Sequence, residues 1–171
     1  MTSTEQAVQV DGDELMQFVF RGVDEAGATL NAALVVMGDK LGLCRALAGA
    51  GPLSPAELAE RTGTAERYVC EWLNAQTAGS YAEYDPDSDR CTRPPEQAVV
   101  LTEPDSPAYL PGFFQIALGS VLDSPKITDA ARNGTGFGWH EHVHEGCERF
   151  FRPGYNANLI AGSLPMYKAR P

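Results

Sequence analysis

The chain has 171 residues, room for one domain, or for a small domain and an appendage. Hydrophobic residues make up 43% and charged residues 21%, enough apolar material for a core, which excludes wholesale disorder. With 13 basic residues against 23 acidic ones the net charge is −10, a balance that repels polyanions and argues against nucleic-acid binding.

The amino terminus has neither a basic patch nor an apolar stretch, so no signal peptide is expected, and residues 1–12 are expected to be disordered. From Asp13, the apolar residues Leu15, Phe18, Val19, Ala26, Leu30, Ala33, Leu34 and Met37 recur mostly every three or four positions. That period predicts a long amphipathic helix over 13–37, with Asp11 or Asp13 near its positive end. A second helix is predicted over 39–48, stopped by the Gly49, Ala50, Gly51, Pro52 turn. Ser54, Pro55 and Glu57 then spell a capping box, opening a helix that ends at Thr62 and Gly63. Thr64 is expected to cap a further helix over 65–78, with Tyr68, Val69, Trp72 and Leu73 facing inward. Residues 80–84 alternate like a strand, the Asp85 to Asp89 run is a turn, and Arg90, Cys91 and Thr92 return as its partner. Helix, turn, helix and hairpin together predict a winged helix-turn-helix.

Prolines bracket a short piece over 96–101, after which a long helix is predicted over 108–122. Ser124 and Pro125 are expected to open a separate helix to about Arg132, ended by Asn133 and Gly134. The CERFF run looks helical, Arg152, Pro153 and Gly154 should interrupt it, and a last helix is predicted over 155–164. The fold class is therefore mainly α with a small β-hairpin, a winged helix-turn-helix plus additional linker helices. The longest strictly apolar run is the six residues from Ala32 to Met37, against the roughly 20 a bilayer crossing takes, so no membrane association is expected. Cys44, Cys70, Cys91 and Cys147 form no CxxC pair and read as reduced, mostly buried thiols, with a cytoplasmic address.

As a DNA reader the motif is poorly equipped. Residues 52–93 hold eight acidic side chains against four arginines, and the turn of the wing carries three aspartates. No nucleic-acid partner is expected, since a groove-reading helix normally brings several cations to the phosphates. All three histidines fall in GWHEHVHEG, at 140, 142 and 144. Alternation is open to metal ligation, to pocket or acid–base work, or to no chemistry; the spacing is not that of structural zinc pairs, and no metal site is expected. GTGFG follows a helix rather than a strand and reads as a surface loop, not a nucleotide cradle. Phe150, Phe151 and Tyr155 form an aromatic cluster, suited to core packing or to a ligand platform.

The run MGDKLGLCRALAGAGPLSPAELAERTGTAERYVCEWLNAQTAGSYAEYDP resembles the amino-terminal domain of a bacterial family of class I S-adenosylmethionine-dependent methyltransferases. LPGFFQIALGSVLDSP, GWHEHVHEG and CERFFRPGYNANL are similar to that family's linker helices. The resemblance implies a winged-helix dimerisation domain over 13–95, linker and lid helices over 96–164 and an irregular tail over 165–171. It places Phe151, Arg152, Tyr155 and Asn156 beside the cofactor and Phe113, Phe114 and Trp139 beside a small-molecule methyl acceptor, with His140 or His142 as general base. In that family a carboxy-terminal Rossmann-like domain holds S-adenosylmethionine. No glycine-rich loop follows Tyr155, so the chain is expected to be a truncated form, inactive alone, that binds the cofactor weakly or not at all. A homodimer is expected. The alternative is a free-standing winged-helix transcriptional regulator or protein-interaction module.

Overall fold

Asp11 opens α1 (Gly12–Lys40) by accepting hydrogen bonds from the backbone N–H groups of Asp13 at 2.9 Å and Glu14 at 3.2 Å. Residues 11 and 12, expected to be disordered, thus start the first helix. The computed structural model describes the backbone of residues 10–168 and the side chains of 10–156 and of Asn158; the expected disorder of 1–9 and the last tail residues, 169–171, lie outside the described residues. Every residue of α1 from 12 to 30 is exposed, and burial begins only at Ala32, Val35, Val36 and Gly38. Gly38 is required there: a Cβ would lie 2.4 Å from the indole of Trp72, whose Nε1 donates to the Leu34 carbonyl at 2.9 Å.

After a turn at Leu41 and Gly42 comes α2 (Leu43–Leu47), shorter than the predicted 39–48 because Asp39 and Lys40 complete α1. Helix α3 (Pro55–Thr62) has the expected capping box, with Ser54 and Glu57 each accepting the other's backbone N–H. Helix α4 (Glu66–Ala78) follows, but Ala65 is its N-cap. Thr64, expected to cap it, instead pairs its hydroxyl with that of Thr62 at 2.7 Å. Val69, Trp72 and Leu73 face inward as expected; Tyr68 does not, and Gln76 takes a place on the buried face, donating to Asn31 of α1 at 3.2 Å.

Strands β1 (Glu83–Asp85) and β2 (Arg90–Thr92) pair antiparallel, Tyr84 opposite Cys91, and Leu53 adds a bridge to Cys91. The strand starts at Glu83 rather than 80 because Ser80 sits at φ 61°, a left-handed turn conformation. Arg90 grips Glu57 with both guanidinium arms, at 2.5 and 3.0 Å, so the capping residue of α3 also fixes the wing. Leu43, Leu47, Leu58, Val69, Trp72 and Leu73 form the heart of the core, and the Arg93 guanidinium lies buried over the Trp72 ring at 5.7 Å.

Helix α5 (Pro95–Thr102) leads to α6 (Pro111–Asn133), a short 3₁₀ turn (Trp139–Glu141) and α7 (Cys147–Lys168). Three expectations fail here. The helices predicted over 108–122 and 124–132 are one: Pro125 sits inside α6, where the carbonyl deprived of a partner belongs to half-exposed Val121. Arg152, Pro153 and Gly154 do not interrupt α7. Nor are residues 165–168 irregular, since they continue that helix. Both helices run on through a proline whose local cost is about 3 kcal/mol. The architecture is mainly helical, a winged helix-turn-helix with added helices, as the sequence predicts. Among the described residues, no helix is long and apolar enough to cross a membrane.

Candidate functional site

Helix α6 turns small and polar residues inward. Its buried positions include Gly112, Gln115, Gly119 and Asp123, spaced three or four apart, while Phe113, Val121, Leu122 and Ile127 are exposed. A Cβ at Gly112 would lie 2.5 Å from the Phe150 backbone nitrogen, and one at Gly119 2.9 Å from the Val143 carbonyl oxygen. Both glycines therefore let the backbone of α7 and of the loop before it lie directly on α6. Arg149 of α7 clamps this layer to the winged helix, donating to Asp39 at 2.7 Å, to Gln115 at 2.8 Å and to the Tyr109 hydroxyl. Lys40 adds an ion pair to Glu145 at 2.6 Å, which holds that carboxyl below its ordinary range.

Asp123 organises the loop. It is 1% exposed, and its carboxylate accepts from the Val143 N–H at 2.7 Å and from Lys126 at 3.0 Å. His142 Nδ1 lies 3.3 Å from its Oδ2. The Val143 N–H above all, then Lys126 and His142, holds the Asp123 carboxyl below the ordinary range despite burial. Lys126 also donates to the Glu141 carbonyl at 2.8 Å and lies over the Phe137 ring. A carboxylate on a packed helix thus sets the course of the histidine segment.

Between α6, this loop and α7 lies a cavity of about 370 Å³ whose lining includes Phe113, Ile116, Trp139, His142, Phe150 and Phe151. Phe113 and Phe150 rings are 5.0 Å apart, His144 lies 4.7 Å from Trp139, and Phe137 meets the His142 ring edge-on at 4.2 Å. Aromatic walls with a few polar groups are the make-up of a small-molecule site.

The structure brings together some of the residues nominated from the sequence and separates others. Phe113, Trp139 and His142 share the cavity with Phe151. Phe114, next to Phe113 on the helix, points elsewhere: it meets Tyr81 edge-on at 6.4 Å and lines a second cavity of about 320 Å³ with Ser80 and Gln97. His140 is exposed and lies outside the cavity's lining. Tyr155 stacks on Phe151 at 6.0 Å, Arg152 is engaged by Glu148, and Asn156 is exposed. Phe151, Arg152, Tyr155 and Asn156 are all exposed, and no buried polar atom among them lacks a partner. They do not by themselves make a pocket for S-adenosylmethionine.

Asp123 was not legible as a site residue. The signal that marks it is the small-and-polar stripe 112, 115, 119, 123, at helical spacing. As for metal ligation, among the described residues no group of three or more His, Cys, Asp or Glu gathers as an ion would require.

The winged helix presents few free cations. Arg67 pairs with Glu71 on α4 at 2.9 Å, Arg90 is held by Glu57, and Arg93 is buried, while Arg45 and Arg61 have no acidic partner among the described residues. Asp85 of the wing accepts from Ser88 and from the Asp87 N–H, which holds its carboxyl below the ordinary range. No curated protein matches the chain. Residues 28–103 match the family model of the Rv2258c-like winged HTH domain, and with the helices and hairpin described above this establishes a winged helix-turn-helix at that position.

Proposed function

We propose that this chain is the dimerisation and substrate-lid portion of an S-adenosylmethionine-dependent small-molecule methyltransferase. One observation carries the reading. Beside a winged helix rich in acidic side chains stands an uncovered apolar face, the first half of α1. Leu15, Val19, Val23 and Leu30 share one side of α1, and Val121, Leu122 and Ile127 stand exposed on α6. Contiguous exposed apolar surface of this kind marks an association site, and a second copy of the chain supplies matching faces. The cavity between α6 and α7 is then where the methyl acceptor would be covered, with His142 beside it. S-adenosylmethionine would be held mainly by a cofactor domain outside these 171 residues, Phe151 and Tyr155 offering one wall.

The experiment is an anisotropy titration of the chain against random duplex DNA, paired with calorimetry against S-adenosylmethionine. The reading expects no DNA binding at micromolar protein in physiological salt, because acidic side chains outnumber arginines eight to four over 52–93. It expects little or no heat with the cofactor, since half a pocket leaves most of the ligand hydrated. Sub-micromolar, salt-sensitive DNA binding would overturn it in favour of a free-standing winged-helix regulator.

A further inference from the structure

We infer that the α6–α7 cavity is a binding site for a neutral, flat, hydroxyl-bearing aromatic compound, whose O–H donates to Nε2 of His142. This rests on the reading of that cavity as a small-molecule site, but not on methyl transfer, dimerisation or the cofactor. Three observations define the ligand.

The walls are aromatic: Phe113, Trp139, Phe150 and Phe151 offer ring faces and edges to a planar molecule, and about 370 Å³ suits a mono- or bicyclic one. The cavity is electrically neutral. No lysine or arginine lines it, so a carboxylate or phosphate finds no countercharge. Its one carboxylate, Asp123, is already engaged by Lys126 and the Val143 N–H, so an ammonium ion finds no free carboxylate either.

The third observation is the orientation of His142. Its Nδ1 lies 3.3 Å from an Asp123 oxygen that is itself fixed at 2.7 Å by the Val143 N–H. A carboxylate beside Nδ1 favours the tautomer with the proton on that nitrogen, which leaves the Nε2 lone pair as an acceptor. Phe137, edge-on at 4.2 Å, and Trp139 pack the ring in place. Asp123 is thus a positioning residue: its carboxylate is taken up by Val143 and Lys126, and it sets which nitrogen of His142 accepts.

The test uses 2-naphthol and 2-methoxynaphthalene as probes, the same ring with and without a donor hydroxyl, titrated by calorimetry. Wild-type protein is expected to bind 2-naphthol about tenfold more tightly than its methyl ether, the size of one well-placed buried hydrogen bond. His142→Phe keeps the ring and removes the acceptor; it should erase that preference while leaving the affinity for 2-methoxynaphthalene in place. Asp123→Ala, which removes the acceptor beside Nδ1, should shift the His142 proton towards Nε2, read from the ¹⁵N shifts of the imidazole, and lower the 2-naphthol preference as well. Equal affinity for both probes in the wild type, a preference that survives His142→Phe, or no binding of either probe overturns the site. An unchanged tautomer in Asp123→Ala overturns the positioning role. Binding of 2-naphthol by a protein that proved monomeric would leave this inference standing and remove the dimerisation reading, so the two fail separately.

Discussion

In α1, Val35 is fully buried and Phe18 is 72% exposed, although one unbroken helix carries both. The second half has the winged helix to lie on: Trp72 reaches across to the Leu34 carbonyl and packs on bare Gly38, and Gln76 meets Asn31. The first half has the same apolar character, and among the described residues nothing buries it: every position from 12 to 30 is exposed. A lone helix in water draws most of its stability from packing, so 19 exposed positions in α1, rich in Phe, Val and Leu, are the basis of the proposed interface. The contrast separates what the sequence does for its own fold from what it offers to a second molecule.

Substitutions in the two halves should therefore fail in different ways. The largest effect is expected at the buried crossing: Trp72→Ala removes the indole from both helices and should cost about 3–5 kcal/mol in urea unfolding. Val35→Asp buries an unpaired charge at the same contact and should leave little folded protein by circular dichroism. Val19→Asp makes the identical chemical change 16 residues earlier, and there the helical signal should persist while self-association weakens about tenfold or more by light scattering. If Val19→Asp unfolds the chain as Val35→Asp does, the two halves are not distinct.

A smaller effect is expected in the layer added to the winged helix. Gly119→Val would push a side chain into the Val143 backbone and force the loop off α6, at about 1–3 kcal/mol, with loss of 2-naphthol binding. The winged-helix core does not touch Gly119, so near-ultraviolet dichroism from buried Trp72 should be unchanged below the unfolding transition.

The same division explains what could be read from the sequence. Ser54, Pro55 and Glu57 announced α3 because capping is local chemistry, and the aspartate-rich turn announced the hairpin for the same reason. Pro125 and Pro153 misled because a proline's breaking tendency is local, yet both helices continue through them. On α6 the usual inference from apolar to buried ran backwards. Backbone, not side chains, lies against its inner face, so glycines and Asp123 are inside and Phe113 and Leu122 outside. Nothing in the residues around Asp123 reveals a partner 20 positions away at Val143, and adjacent Phe113 and Phe114 could not be told apart without knowing which helix lay on which side. Tyr68 fitted the period of α4 yet is exposed, leaving one more apolar ring on the outer surface.

The smallest effect concerns acid. Arg90 above all, with the Ser54 N–H, draws the Glu57 carboxyl down to about 2 from the ordinary 4.5. Because the folded value is the lower one, the ionised form favours the fold. That contribution is complete above the unfolded value and is lost as the pH falls through the folded value, between about 5 and 2. Urea midpoints at about pH 6 and pH 2.5 should show wild type losing its advantage over Glu57→Gln in the acid arm. The difference should be small, since both partners are more than a third exposed. A Glu57→Gln protein with the same acid profile as wild type would place the wing's attachment elsewhere.

The central claim is that the outer half of α1 is an interface between copies of this chain. Sedimentation equilibrium at micromolar concentration tests it directly. The account predicts a dimer, twice the chain mass of 18.4 kDa, that Val19→Asp shifts towards the monomer. A wild-type protein that sediments as a single 18.4 kDa species across that range, with α1 exposed as described, would contradict it.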